Sequence, residues 1–481
     1  MYRRRSKRTQ RFFFFLTYTV APLLIVGSVA VLVLFIQGYR FNTTSGDVFQ
    51  AGLVQFGTRP SGATVKVDGS PLAARTRTRI NVSDGIRTIT MTRNGYVPWE
   101  KTVEVVPGSV LWLTYARLVP TEVTTENLYD YETAATVLTS NGRNLFGIQP
   151  AATEPTFETI PATDSTPTRT SATVPESLYE VSANQTFTAT EWGESGRYVL
   201  FRHDVGAKHA WLMLDTSDAT KSINISDKTG LTISKAFFDA ADDRYVYLQT
   251  NGSLVRFDRS SLTTSAVLAK NVQSITQSTD GVVMVVAQSS EGKMALSYIT
   301  SQADTARQIT FADADDVGVI QSAVVVTYDR HEYIGVLSGG ELIISRTGVD
   351  SSETTAPLQL TPLVTLKVAG TITRLEPSPN GRFVALVGTD RVSMYDLEIE
   401  KLSPLVAQYT KTPALRWLDE YHLIDRRDDM LSMFEFDGAN RTAITNVASQ
   451  YSSVLTSSGT YVYVLQQDHT GYHVVRAQLL D

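Results

Sequence analysis

The sequence predicts an all-β protein with one N-terminal transmembrane helix, in which a small β-sandwich over 52–119 is followed by a seven- or eight-bladed β-propeller over 126–481. Three observations predict it. An uncharged apolar run over 12–36 follows a basic N-terminus. Short alternating segments broken by turn dipeptides fill 52–119. Beyond them, a turn followed by an aromatic- or Val-rich strand recurs about every 40 residues, the period of a propeller blade.

A chain of 481 residues has room for several domains, and 42% hydrophobic with 19% charged residues is a globular composition. The absence of cysteine excludes disulfides, thiolate zinc sites, a catalytic cysteine and lipidation on an N-terminal cysteine. Seven of the 43 basic residues lie within 1–40, which holds no acidic residue. That leaves 36 basic against 49 acidic residues, or −13, for 41–481. An acidic body argues against nucleic acid as a partner, since phosphate binding needs a basic face.

From Phe12 to Ile36 the run is long enough to span the hydrocarbon with some tilt. Residues 1–11 form a basic tail, with Arg3, Arg4, Arg5, Lys7, Arg8 and Arg11 before the run and only Arg40 soon after it. The positive-inside rule puts the N-terminus in the cytoplasm and the body outside. A cleaved signal peptide is the competing reading, but its apolar core is shorter and ends at a small-x-small site. Here Val33-Leu34-Phe35-Ile36 follows the small cluster Gly27 to Ala30. Either way the body is exported.

In 52–119, Val65 and Val67 alternate with Thr64 and Lys66, and Asp68-Gly69, Asp84-Gly85 and Asn94-Gly95 mark turns. Val110 to Leu118 carries apolar residues on both faces. Its Leu111, Leu113 and Tyr115 are expected to dock on the propeller across a stiff spacer, 119–129, that contains no glycine. The segment resembles a PEGA domain through Pro60-Ser61-Gly62-Ala63, Val65-Lys66-Val67-Asp68-Gly69, Gly85 and Gly95-Tyr96. Ser61 stands where the family's name-giving Glu would be, and Ala74-Arg75-Thr76-Arg77 replaces its usual Gly-x-Thr-Pro turn. The resemblance implies a small, surface-exposed β-sandwich of the bacterial or archaeal envelope and implies no catalysis.

The repeated turn and strand begin at Ser140, Ser195, Asp242, Thr279, Asp329, Ser378, Asp419 and Ser457. The clearest copy, Ser378-Pro379-Asn380-Gly381-Arg382 with Met394-Tyr395-Asp396-Leu397, resembles a TolB-type or WD-repeat blade. The first copy diverges, so seven blades compete with eight. Pro150 to Glu176 is rich in Thr and Pro and poor in large apolar residues, and is expected to be a flexible loop before a strand at Leu178 to Val181. A second polar insertion spans Val349 to Pro357. Both insertions are alternatively linkers between domains.

The chain has no Gly-x-Ser-x-Gly elbow, His-Glu-x-x-His, P-loop or dinucleotide fingerprint. His203 with His209, and His469 with His473, flank hairpins, where surface turns are the more frequent reason than metal binding. Asp313, Asp315 and Asp316 lack the Gly and distal Glu of a calcium loop. The five tryptophans are expected in cores. No catalytic, cofactor-binding or metal-binding residue is nominated, no cofactor is expected, and the binding residues are left unknown. The expected function is a membrane-anchored, non-enzymatic binding or scaffold protein of the envelope, with an envelope protein or cell-wall polymer as partner. Alternatives are a spacer in contact with the wall and a propeller enzyme acting on envelope glycans.

Overall fold

The computed structural model describes residues 12–41, 48–278, 281–288, 294–300, 303, 305–311, 320–347, 357–410, 414–450 and 452–480. The basic tail, Asp313, Asp315, Asp316 and nearly all of the insertion at 349–357 lie outside them. The chain forms two compact units, Met1–Glu122 and Val123–Asp481.

The first unit begins with helix α1 (Phe12–Ile36), 25 residues of which none is buried by protein. Its C-terminal carbonyls are met by a cation, which also suits the negative end of the helix dipole. Arg40 Nη1 donates to the Phe35 carbonyl at 2.7 Å, and the guanidinium lies 3.9 Å from the centre of the Phe35 ring.

Eight strands follow: β1 (Tyr39–Phe41), β2 (Val48–Arg59), β3 (Thr64–Val67), β4 (Ser70–Arg75), β5 (Thr78–Ser83), β6 (Gly85–Thr92), β7 (Trp99–Val105) and β8 (Val110–Arg117). One sheet holds β1, β2, β5 and β8, and the other has the order β4-β3-β6-β7. Between them lie Val54, Phe56, Val65, Ile89, Met91, Trp99 and Leu113, all buried. Alternation puts these apolar side chains on the inner faces. The Asp68-Gly69 turn is held by the Asp68 carboxylate, which accepts from Thr88 N–H at 2.9 Å and from Arg87 at 3.0 Å. Where the sequence departs from the family pattern, Thr76 is buried, and its hydroxyl accepts from Ala63 N–H at 2.9 Å.

The structure corrects the docking expectation for β8. Leu113 is 2% exposed in the sandwich core, and Leu111 and Tyr115 pack against the same core. The large apolar residues of β8 left outside are Val110 and Trp112. Both faces of β8 are apolar, so composition alone could not say which face the sheet would bury.

In the second unit the described residues form eight antiparallel-based sheets, which settles the blade number at eight. The strands of blades 1 to 3 span 136–173, 185–224 and 233–264. Blades 4 and 5 span 272–311 and 320–346. After blade 5's third strand the chain adds Leu358–Leu360, parallel, to blade 4, then Pro362–Lys367 to blade 5. Blades 6 and 7 span 372–408 and 415–446. Blade 8 spans 453–478 and takes its outer strand from the start of the unit, β9 (Thr125–Tyr131). That pairing closes the ring. Shared apolar clusters join blade 1 to 2, 2 to 3, 3 to 4, 4 to 5, 5 to 6, 6 to 7, and 8 to 1.

A second correction concerns Pro150 to Glu176. It is not a structureless loop: Thr156–Pro161 and Thr170–Thr173 are the two outer strands of blade 1. Phe157, Ile160 and Val174 are buried, and Thr has strong β-propensity. An outer strand buries one face only, so few apolar residues suffice. Residues 178–181 are not a strand.

The repeated motif has two structural reasons. Its Gly takes a positive φ where one blade meets the preceding one: +73° at Gly196, +80° at Gly281 and +70° at Gly381. A Cβ on Gly381 would overlap the Thr327 carbonyl of blade 5. Its Arg forms a two-toothed bond to an Asp ending the next strand. Arg382 reaches Asp396 at 3.0 and 2.7 Å, Arg244 reaches Asp258 at 2.9 and 2.6 Å, and Arg197 reaches Asp215 at 2.8 and 2.6 Å. Such paired N–H···O contacts fix geometry as well as adding energy. Gly381→Ala is therefore expected to destabilise the propeller by about 3 kcal/mol, from left-handed strain plus overpacking. Chemical denaturation of the two proteins measures it; an unchanged midpoint would mean that this turn does not hold the blades together.

Candidate binding surfaces

Blade 2 carries a polar cleft of about 970 Å³. The hairpin of Tyr198–Val205 and Lys208–Asp215 supplies His203, Lys208 and His209. The run at 176–182 supplies Tyr179, and the short helix α2 (Ile225–Thr229) supplies Ser226 and Asp227. Helix α2 forms here because Asn224 Oδ1 accepts from Asp227 N–H at 3.0 Å and Gly230, at φ +64°, ends it.

His203 is 5% exposed, stacked on Phe187 with ring centres 4.4 Å apart, and edge-on to Tyr179 at 5.2 Å. Burial pushes its pKa down, so it is neutral near pH 7. His209 Nε2 donates to the Ile233 carbonyl at 2.6 Å. Because His203 pairs with Ala210 and His209 with Asp204, the two imidazoles emerge on opposite faces of the sheet and do not share a ligand position. The cleft offers hydrogen-bond donors and acceptors beside an aromatic wall, an arrangement suited to holding a polar ligand.

His473 lies on blade 8. Its ring bonds Asp130 of β9 at 2.6 Å and Asp468 at 3.1 Å, and these two carboxylates raise its pKa. Its support for ring closure is complete below the ordinary imidazole pKa and is lost as the pH rises through the elevated folded value. His469 is exposed. Among the described residues no three His, Asp or Glu side chains form a metal-like group. Trp99, Trp192, Trp211 and Trp417 are buried, whereas Trp112 is 55% exposed.

The first strands of blades 8 and 1, 1 and 2, 2 and 3, 4 and 5, and 5 and 6 contact one another on the axial side of the ring. Two carry half-buried carboxyls that sequence patterns did not single out. Burial raises the Glu191 pKa from 4.5 to about 7, against a bond from Phe238 N–H at 3.1 Å. Burial also raises that of Glu376, despite Arg374 at 3.2 Å. Only burial, which tertiary structure decides, marks these two.

Glu191 keeps its proton in the folded chain up to about pH 7 but releases it near 4.5 when unfolded. The folded state thus holds the extra proton in that window, and stability falls as the pH rises through it. Glu191→Gln is expected to gain roughly 2 kcal/mol at pH 8 and nothing below pH 4.5. Urea unfolding at the two pH values reads this directly, and an equal effect at both would refute a titrating carboxyl.

Residues 52–121 match the PEGA domain family. No curated protein matches the chain. Among solved structures, the computationally designed Ika8 protein is similar at TM-score 0.42 and 11% identity, over 74% of this chain and 100% of that one. An oligogalacturonate lyase in complex with manganese is similar at 0.39 and 12%, over 73% and 99%. The β-propeller domain of Myceliophteria thermophila Cps50 (Swd1) is similar at 0.37 and 12%, over 74% and 99%. The chain therefore carries a PEGA domain at residues 52–121, followed in sequence by a β-propeller whose eight blades are read from its own strand order.

Proposed function

We propose that this is a single-pass membrane protein with a cytoplasmic N-terminus, whose PEGA domain and propeller serve outside the cytoplasm as a binding or scaffold element of the cell envelope. The propeller is the platform for an envelope protein or wall polymer, and it performs no chemistry. The observation that carries the reading is α1. All 25 residues lack a protein cover, and a helix apolar on every side is stable in lipid. The residues just beyond α1 support its retention. Gly38 accepts from Ala51 N–H at 2.9 Å, so the chain enters the sandwich two residues after α1 ends.

The test is made in cells expressing the full chain. It should stay with membranes through alkaline washing, and protease added to spheroplasts should digest 123–481. A body protected until lysis would overturn the topology. A photo-crosslinker at Lys208 in the blade 2 cleft should capture a discrete partner that one at Ile399, at the opposite end of the strands, does not. Equal capture at both positions would remove the cleft from the reading.

A further inference from the structure

Beyond α1, the exposed apolar residues of the first unit are unevenly placed. Among the described residues that follow α1 there, the large hydrophobics left outside are Tyr39, Phe41, Val48, Ile86, Val106, Val110 and Trp112. Strand register puts them toward one end. Phe41 pairs with Val48 and Tyr39 with Gln50 at the start of β2. Ile86 follows the β5–β6 turn, where Asp84 N–H donates to the Gln50 carbonyl. Val106 and Val110 flank Gly108, whose N–H donates to the Ala51 carbonyl, and Trp112 pairs with Gln55 slightly farther along. The opposite end, around Arg59 and Ser61, carries none of them, and β2 separates the ends by roughly 35 Å.

This apolar end is the one joined to α1. A Cβ on Gly108 would lie 2.6 Å from the Ile36 carbonyl, and Arg40 of β1 folds back over Phe35 in the last turn of the helix. The chain therefore fixes these residues at the level where α1 leaves the hydrocarbon.

We infer that this end of the PEGA domain is seated in the lipid headgroup layer, with Phe41, Val48, Val106 and Val110 at the acyl boundary and Trp112 at its outer margin. Amphipathic surfaces bury apolar side chains to that depth, and Trp favours the interface. Asp84 and Glu104 flank Ile86, which keeps the seating shallow rather than within the acyl core. The occupant is the bilayer because it is already present at the end of α1. This inference rests on α1 being a retained anchor, and spin-label accessibility separates the two.

The chain has no native cysteine, so single spin labels can be placed on the full-length protein in lipid nanodiscs at Val29→Cys, Val106→Cys, Val110→Cys and Ser61→Cys. Collision with oxygen, which concentrates in lipid, is compared with collision with a water-soluble nickel chelate. The oxygen-to-chelate ratio should be highest at 29, severalfold above that of 61 at both 106 and 110, and lowest at 61. If 29 is lipid-exposed while 106 and 110 match 61, the seating is wrong and the anchor stands. If 29 also matches 61, the anchor itself fails, and this inference with it. Labels at 106 and 110 shielded from both reagents would show a protein on this surface and overturn the lipid assignment.

Discussion

A propeller truncated to begin at Glu132 should lose its cooperative fold, while one beginning at Val123 should keep it. The nine residues between include β9, the outer strand of blade 8, which pairs with 472–477. Removing it strips a row of interstrand hydrogen bonds, each worth about 1 kcal/mol net, for a total on the order of 5 kcal/mol. That is comparable to the whole stability of many domains. The same seam has a point of failure in one side chain. Arg476 is 6% exposed, pairs with Glu126 of β9 at 2.7 Å, and donates to the carbonyls of Asp164 and Ser165 at 2.9 and 2.8 Å. Arg476→Ala leaves those acceptors without their charged donor and should cost about 3 kcal/mol. Thermal melts of both truncations and of Arg476→Ala make the comparison. Matched melting of the two truncations would show that β9 is not the closing strand.

Trp99→Ala should unfold the PEGA domain and leave the propeller's transition in place. Trp99 is 1% exposed and touches Tyr115 edge-on, with ring centres 6.4 Å apart. Truncating a buried Trp to Ala costs about 3–5 kcal/mol, through lost transfer energy and a residual cavity. A domain of about 70 residues has little stability to spare. Calorimetry of the full chain in detergent should show one transition lost and one kept. Loss of both together would mean that the two units unfold as one.

Much of this architecture is local information. The uncharged run at 12–36 needs only its length and composition to be recognised as a helix long and apolar enough to span a bilayer, because that is a one-dimensional requirement. The repeated Gly and Arg of blades 2 and 6, and the Arg of blade 3, were visible as a pattern because these blades meet a shared constraint, an Arg–Asp bond across a hairpin, with a tight turn against the neighbour in blades 2 and 6. The PEGA motifs likewise sit in adjacent turns and strands.

What tertiary structure decided depends on partners far away in the chain. No local pattern marks β9 as belonging to blade 8, since its partner strand lies some 350 residues on. Thr156–Pro161 looked too polar to fold because a strand's burial is set by the sheet it joins. Leu111, Leu113 and Tyr115 looked free to dock because alternation identifies two faces of a strand but not which one is inside. The raised pKa of Glu191 follows from burial beside blade 3, which its own sequence neighbours do not encode. Sequence alone determined the apolar helix, the β class and the repeat. Closure of the ring, the inward face of each strand and the protonation of its half-buried carboxyls came only with the packed fold, because each is a property of contacts rather than of residues.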